Sequence, residues 1–492
     1  MNYQTNLFTK SFIILSFFLM TGLNLMGEPD IDENKLHAFV DKAMKIYDVP
    51  GCAVGIVRDG KVIYTGGYGF SSVKTKKKVD TKTQFQIQSV SKTFTAAAIM
   101  QLKEQGLIRL HDPVAKHVPY FILKDNRYKA ITIKMLLNHT SGIPSMYKAD
   151  FGYENPEFDK GALKRHIIEL GNQNMEFNPG DKYSYTNNGY AILAALIESV
   201  SGMSFEQYME LKILNPAGMK QSTFLFSEIN KNNIAQPHIL GEDLNYTVCS
   251  YHPYNRWAAS CGGLFSDIEG MCRWLLLSMN KGKIKNRLLR EKSYEEMWRV
   301  SSDKNQRMGL GWFIDDWKGI RLISHPGGGL GYSAELCLFP EKNIGVVVLC
   351  NCRRSPAWEI VKAVFLLMQG QEPSEISPSL ETQLLNRIKV KGIDAGIEFY
   401  RKKRKELPAD QFWVNQLLIL GHRILNSEQK DRLHTALKIF KLAVEFYPEN
   451  AHVYDFLAEA YLKLVLKNYR KAVELDPTIR GAKRIIKKIE SK

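Results

Sequence analysis

Two pairs of apolar segments that lie far apart in the chain predict β-hairpins. Residues 52–57 and 61–66 are rich in Val, Ile and other strand-forming residues, and the turn between them contains Asp59-Gly60, a pair typical of tight hairpins. Residues 334–339 and 344–350 form a second pair around a Pro-Glu-Lys-Asn turn. These patterns predict strands near both ends of one domain.

Helical patterns dominate the region between the hairpins. The segment 93–105 ends at Gly106 and the segment 188–200 ends close to Gly202, as helices commonly do. After the second hairpin, residues 357–368 predict a helix that packs on the sheet. Together these elements predict an α+β fold, in which helices flank one antiparallel sheet and a helical region is inserted between its strands.

The chain beyond residue 370 contains no strand pattern. Residues 370–379 are rich in Gln, Glu, Pro and Ser and predict a linker. From residue 411 onward, weak repeats resemble tetratricopeptide helices. Pro448 and Pro477 are 29 residues apart rather than about 34, which predicts a shortened turn between two helices. We expect about two degenerate repeats that dock on the preceding domain or on a protein partner. A generic helical hairpin is the alternative.

The composition indicates a globular chain with a basic C-terminal part. Of the net charge of +16, half lies in the last 120 residues, which hold 23 Lys and Arg against 15 Asp and Glu. No zinc-finger, RNA-binding or arginine-rich motif accompanies this charge, so we expect solvated basic helices and no nucleic-acid partner. The seven cysteines are scattered, and most are expected to be buried apolar side chains. No Cys/His cluster has metal-ligand spacing, so no metal or other cofactor is predicted.

The N-terminus has the pattern of an export signal. Lys10 precedes the apolar run 11–20, which is too short for a comfortable membrane span. We therefore expect a secreted or periplasmic protein; membrane association through an uncleaved segment is the alternative. The predicted divisions are a signal peptide (1–27), an α+β domain (28–370), a linker with helices (371–410) and a tetratricopeptide-like region (411–492).

The strongest candidate chemistry lies at Ser89 and Lys92, one turn apart where an extended segment gives way to a helix. A serine hydroxyl needs a neighbour that takes its proton, and a lysine three residues along a helix lies on the same face. Only Ser89 precedes a long helix of small residues, although the pattern Ser-x-x-Lys begins at Ser71, Ser89, Ser145, Ser278, Ser301 and Ser427. The alternative is that Ser89 merely caps the helix.

Two further motifs follow, Tyr185-Thr-Asn187 just before a helix and His325-Pro-Gly327 just before the second hairpin. In this order the three motifs resemble the serine β-lactamase and penicillin-binding protein superfamily. The likeness is greatest to its class C β-lactamase branch, which includes esterases and D-aminopeptidases. It implies the DD-peptidase/β-lactamase fold. The resemblance spans residues 35–370, with supporting stretches at 111–114, 131–144 and 261–266.

The resemblance implies an acyl-enzyme mechanism. Ser89 would attack the substrate carbonyl, and Tyr185 would act as general base together with Lys92. The backbone N–H groups of Ser89 and Gly328 would form the oxyanion hole. His325, as a neutral or cationic imidazole, would assist Tyr185 or contact a substrate carboxylate. The remaining substrate-binding positions implied by the resemblance are Asn187 and Gly327.

Two departures from the family pattern bear on the substrate. His325-Pro-Gly327 replaces the usual Lys-Thr-Gly, and a histidine suits a substrate carboxylate less well than a lysine does. Gln88 replaces the usual glycine, and its side chain is expected to narrow the cleft. We expect an exported serine acyl-hydrolase of carboxypeptidase, aminopeptidase or esterase type, acting on a small-molecule, peptide or ester substrate. A β-lactamase is the first alternative; a non-catalytic penicillin-binding sensor or scaffold that uses the C-terminal repeats is the second.

Overall fold

The computed structural model describes residues 31–144, 155–281, 288–409 and 412–490. The predicted signal peptide and the Ser145 motif lie outside these residues. The strands, in chain order, are β1 Gly51–Arg58, β2 Lys61–Ser72, β3 Lys77–Lys78, β4 Phe85–Gln86, β5 His238–Leu240, β6 Tyr246–Val248, β7 Phe265–Ser266, β8 Phe313–Trp317, β9 Ile320–Gly329, β10 Tyr332–Phe339 and β11 Ile344–Cys350. The α-helices are α1 Glu33–Tyr47, α2 Ser91–Glu104, α3 Val114–His117, α4 Ile133–Leu137, α5 Ala162–Glu169, α6 Asn187–Ser201, α7 Phe205–Tyr208, α8 Ala259–Gly262, α9 Ile268–Met279, α10 Glu291–Met297, α11 Ala357–Leu367, α12 Leu380–Glu406, α13 Val414–Leu425, α14 Arg432–Phe446, α15 Ala451–Leu475 and α16 Arg480–Glu490.

The central sheet is antiparallel and joins the two ends of the α+β domain. Its strand order is β3-β2-β1-β11-β10-β9-β8, and the two predicted hairpins meet where β1 pairs with β11, with Ala53 opposite Leu349. Both hairpins are confirmed. Asp59 and Gly60 have φ angles of 48° and 77°, and a tight type I′ turn requires positive φ at both positions. The sequence did not predict β8 or β9; the His325 motif lies directly before the second hairpin, as predicted, and is part of β9.

Alternate residues of β1 face two different cores, because successive side chains of a strand point to opposite faces of the sheet. Cys52, Val54 and Ile56 pack in a cluster with α1 and α11. Ala53 and Val57 face the larger core that the sheet forms with α2, α6 and α9. This burial on both faces is the predicted α+β arrangement, although the sequence did not predict α1.

The helices expected within this domain are confirmed as α2, α6 and α11. Gly106 and Gly202, just beyond the first two, have φ angles of 75° and 70°. This left-handed conformation ends a helix at little cost when the residue is glycine.

All seven cysteines are free and buried, as predicted for apolar packing residues. Six of them contribute to hydrophobic clusters: Cys261 and Cys272 belong to the larger core, and Cys52, Cys337, Cys350 and Cys352 belong to the cluster with α1 and α11. Within the described ranges, no helix combines the length and the hydropathy that crossing a bilayer requires.

The C-terminal helices share a hydrophobic cluster with the β5–β6 hairpin of the α+β domain, through Leu240 and Leu244. Residues 371–379, ahead of these helices, form neither helix nor strand. The predicted shortened turn between two repeat helices is wrong, because α15 runs unbroken from Ala451 to Leu475. This stretch contains neither glycine nor proline, so nothing in it interrupts helical hydrogen bonding.

A buried ion-pair cluster fastens the C-terminal helices to the α+β domain. Glu381 on α12 accepts from Arg423 on α13 at 2.8 Å, and Arg354, just beyond β11, lies 2.9 Å from its other oxygen. The Glu381 side chain is fully buried. Changing Glu381 to glutamine leaves both guanidinium groups without their counter-charge, and we expect the free energy of unfolding to fall by about 3–5 kcal/mol. Urea denaturation measures this loss.

Glu445→Gln is the matched control for this prediction. Glu445 pairs with Arg401 at 2.6 Å, but about half of each side chain is exposed, so the change should have little effect. Equal unfolding midpoints for the two variants would contradict a stabilising role for the buried cluster.

Candidate active site

Ser89 lies in a tight turn that long-range contacts hold in place. The turn spans Gln88–Val90 and leads directly into α2. Ahead of it, β4 pairs with β7, and the N–H of Ile87 donates to the carbonyl of Leu264 at 2.9 Å. Behind it, Ser91 Oγ accepts from the N–H of Leu264 at 3.1 Å. Ser89 is thereby held at the N-terminus of α2, where the helix dipole favours developing negative charge.

The alternative that Ser89 merely caps the helix is wrong. Neither the turn nor α2 has a side-chain hydrogen bond at its N-cap position. The Ser89 hydroxyl instead accepts a hydrogen bond from Lys92, with 3.1 Å between Oγ and Nζ. The expected change from an extended segment to a helix around the Ser-x-x-Lys pair is confirmed.

Lys92 joins three parts of the chain that are distant in sequence. Its Nζ donates to Ser89 Oγ at 3.1 Å, to Asn187 Oδ1 at 2.7 Å and to the carbonyl of Cys261 at 2.8 Å. The side chain is fully buried. These contacts use all three N–H groups of an ammonium and fix its position beside the hydroxyl. Cys261 belongs to the supporting stretch 261–266, but sequence reasoning did not assign its carbonyl to the site.

Aromatic rings surround the Lys92 ammonium. Its Nζ lies 5.0 Å from the ring centre of Tyr185 and 5.4 Å from that of Tyr190, within cation–π range. The structure thus brings Tyr185 to Lys92 through its ring. Among the described residues, the Tyr185 hydroxyl makes no hydrogen bond.

His139 is a site residue that sequence reasoning missed. Its ring lies 4.2 Å from that of Tyr185, and its Nδ1 accepts from the N–H of Thr186 at 3.2 Å. Burial, and then the nearby Lys92 charge, hold its pKa well below the usual value, so the ring is neutral. The only signal was its position in the supporting stretch 131–144, which gave no role for this imidazole.

His325 lies on β9 across from the nucleophile and is neutral. Its Nδ1 is 2.7 Å from the carbonyl of Pro326, so Nδ1 carries the proton and Nε2 presents a lone pair. Nε2 is buried and unpartnered among the described residues. Burial, followed by the Lys92 charge, lowers the pKa of His325 to about 3. Of the two protonation states considered from the sequence, the structure therefore supports the neutral imidazole.

The glycines of β9 allow this strand to approach the nucleophile turn. A Cβ at Gly327 would lie 2.3 Å from the carbonyl oxygen of Ile87, so no side chain fits there. A Cβ at Gly328 would meet no protein atom within 4 Å, which leaves this position open to the cleft. Gly328, Ser89 and Asn187 line one small cavity. Packing against the nucleophile turn thus excludes a side chain at Gly327 but does not require glycine at Gly328.

Comparisons with known proteins agree with this architecture. The family model described as Beta-lactamase matches residues 36–365. Protein flp of Staphylococcus aureus (strain MW2) is 29% identical over 324 residues, which cover 65% of this chain and 63% of flp. Penicillin-binding protein 4* of Bacillus subtilis (strain 168) is 27% identical over 331 residues, covering 63% of this chain and 71% of that protein. The chain thus spans less than two thirds of the length of the staphylococcal relatives.

Among solved structures, the octameric penicillin-binding protein homologue from Pyrococcus abyssi is similar to this chain with a TM-score of 0.63 and 30% sequence identity. The similarity covers 73% of this chain and 82% of the archaeal one.

Proposed function

The chain belongs to the Beta-lactamase family, and on that premise we propose that it hydrolyses ester, amide or peptide bonds through an acyl-enzyme on Ser89. The observation that carries the proposal is the fully buried Lys92 ammonium, hydrogen-bonded at once to the Ser89 hydroxyl and to Asn187. A structural serine does not need such a partner, whereas a nucleophile does. Export, inferred from residues 11–20, is part of the same proposal.

In the first half of the reaction, Ser89 Oγ bonds to the substrate carbonyl carbon while its proton passes to the oxygen of Tyr185, which acts as base in its phenolate form. The tetrahedral oxyanion is stabilised by the N–H groups of Ser89 and Gly328. Lys92 holds Oγ in position and stabilises the developing negative charge. Collapse breaks the bond to the leaving group, which receives the proton from Tyr185. Water then attacks the acyl-enzyme carbonyl while Tyr185 takes its proton. As the ester bond breaks, Tyr185 returns this proton to Ser89 Oγ, and the acid is released.

The neutral His325 favours neutral acyl substrates over β-lactams. A penicillin carries a carboxylate, which a cationic side chain binds with a charge-assisted hydrogen bond. His325 has no proton on Nε2 and a pKa of about 3, so it supplies a hydrogen-bond acceptor at this position. An acceptor repels a carboxylate but suits an N–H or O–H group of a substrate.

His325→Lys should therefore shift the substrate preference towards β-lactams that carry a carboxylate. We expect its acylation rate with benzylpenicillin to rise about tenfold, since a charge-assisted hydrogen bond contributes about 1.5–3 kcal/mol. Hydrolysis of p-nitrophenyl acetate, which has no carboxylate, should not rise. His325→Gln is the neutral control and should show no gain with penicillin.

The wild-type protein decides between the two substrate classes. If it turns over nitrocefin with a higher kcat/KM than p-nitrophenyl esters and p-nitroanilides, the β-lactamase alternative replaces the present proposal.

A further inference from the structure

The residue before the nucleophile, Gln88, has a backbone conformation that glycine adopts far more easily. Its φ angle is +51°, in the left-handed region, and the residue is buried. A non-glycine residue with this φ costs free energy and persists where its side chain or surroundings compensate. Contacts of the Gln88 side chain or its surroundings must therefore offset the cost of this backbone conformation.

The Gln88 side chain fills the space between β9 and α8 beside Ser89. A Cβ at Gly329 would lie 2.3 Å from Gln88 Oε1, and a Cβ at Gly262 would lie 3.6 Å from the same atom. What remains beside Ser89 is a cavity of about 40 Å³, bordered by Ser89, Gln88, Gly328 and the segment around Gly262. Such a space holds a few non-hydrogen atoms and excludes an aromatic ring.

Gln86 borders the same cavity and gives it a polar wall. Its Nε2 donates to the carbonyls of Pro253 and Gly262 at 2.9 and 3.1 Å, which fixes the amide orientation and leaves Oε1 as an acceptor. This oxygen is buried and has no partner among the described residues, and the same is true of Gln88 Nε2. Buried polar atoms without partners are costly, so a ligand that supplies an N–H group has a site here.

From this geometry we infer that Gln86 and Gln88 form the subsite for the acyl part of the substrate. Gln88 limits the acyl group to a few atoms, and Gln86 accepts a hydrogen bond from an N–H group next to the scissile carbonyl. The favoured substrates are esters or amides of a compact acyl group that carries such a donor. This inference rests on the proposed acyl-enzyme at Ser89.

The test compares kcat/KM for three p-nitroanilides whose acyl parts are acetyl, glycyl and phenylacetyl. The wild-type protein should prefer acetyl to phenylacetyl by at least tenfold and glycyl to acetyl. Gln88→Gly should lower the ratio of kcat/KM for the acetyl substrate to that for the phenylacetyl substrate at least tenfold, because it removes the side chain that closes the cavity. It should also raise the melting temperature, since glycine adopts the positive φ without strain.

Gln86→Leu is the complementary variant. It should lower kcat/KM for the glycyl substrate about tenfold relative to the acetyl substrate, because the N–H loses its acceptor. Intact-protein mass spectrometry after reaction with a fluorophosphonate monitors Ser89 in every variant. If the variants are labelled but the two ratios do not change, the subsite inference is wrong. If wild-type Ser89 is never modified by the fluorophosphonate or by any substrate, the proposed function itself fails.

Discussion

Ser89→Ala is expected to lower kcat/KM at least about a thousandfold and to abolish covalent labelling of the protein. The loss is large because, in the part of the chain that the structure describes, no other hydroxyl is held by a buried ammonium beside the backbone N–H groups proposed as the oxyanion hole. Removal of the nucleophile in serine hydrolases leaves only the contribution of binding and of the oxyanion hole. The fold should be unaffected, since the Ser89 hydroxyl accepts from Lys92 and caps no helix.

Labelling with a fluorophosphonate and with a fluorescent penicillin, followed by mass spectrometry of the adduct, measures this directly. Ser278→Ala is the matched control, because Ser278 also begins a Ser-x-x-Lys pattern and is buried, but it lies on α9. This control should retain both label and activity. If Ser89→Ala retains the label, another residue is the nucleophile. If the wild-type protein is not labelled by either probe, the non-catalytic scaffold becomes the better explanation of the C-terminal helices.

Part of the candidate site could be predicted because it is local in sequence. Ser89 and Lys92 are one helical turn apart, so helical geometry alone places their side chains together. Tyr185 and Asn187 lie where a recognisable helix, α6, begins, and the family resemblance assigned their roles. In contrast, the Cys261 carbonyl and His139 reach the site only through tertiary packing, which no local pattern specifies.

In the fold too, some elements follow from local sequence preferences and others depend on tertiary contacts. The hairpin with Asp59-Gly60 at its turn has strong local preferences, and it formed as expected. The Pro and glycine residues of 326–329 have low strand propensity, yet they lie in β9 because pairing with β10 overrides that propensity. The protonation of His325 was open for a comparable reason. Burial and the neighbouring Lys92 charge set its pKa, and neither is visible in the motif.

Buried histidines should make the protein unstable in mild acid. Burial lowers the pKa of His238 and His252 to about 4, and burial with nearby cations lowers that of His325 and His422 to about 3. In the unfolded chain a histidine has a pKa near 6.5 and therefore binds a proton at pH 5 that the folded protein does not bind. Stability then falls as pH drops from about 6.5 towards 4, by about 2 kcal/mol for each group at pH 5.

For these four histidines together, the loss in the free energy of unfolding at pH 5 is about 8 kcal/mol. Glu335 has the opposite effect, because burial raises its pKa to about 8. The folded protein therefore binds a proton at this carboxyl more readily than the unfolded chain does. Its contribution to the free energy of unfolding rises by about 3 kcal/mol between pH 7 and pH 5. The net loss of about 5 kcal/mol is comparable to the whole stability of many domains. The lowered pKa values of His139 and His166 also reduce the stability in mild acid, as those of the four histidines above do.

Urea denaturation at pH 7, 6 and 5 should therefore show a steep fall in the free energy of unfolding. His422→Phe should reduce that fall by about 2 kcal/mol, because it removes one group that protonates only on unfolding. His434→Phe is the control, since His434 is exposed on α14 and should leave the pH dependence unchanged. A free energy of unfolding that stays constant from pH 7 to pH 5 would mean that these imidazoles bind protons as readily in the folded protein as in the unfolded chain. A neutral His325 would then lose its support, and with it the argument that the site favours neutral acyl substrates over carboxylate-bearing ones.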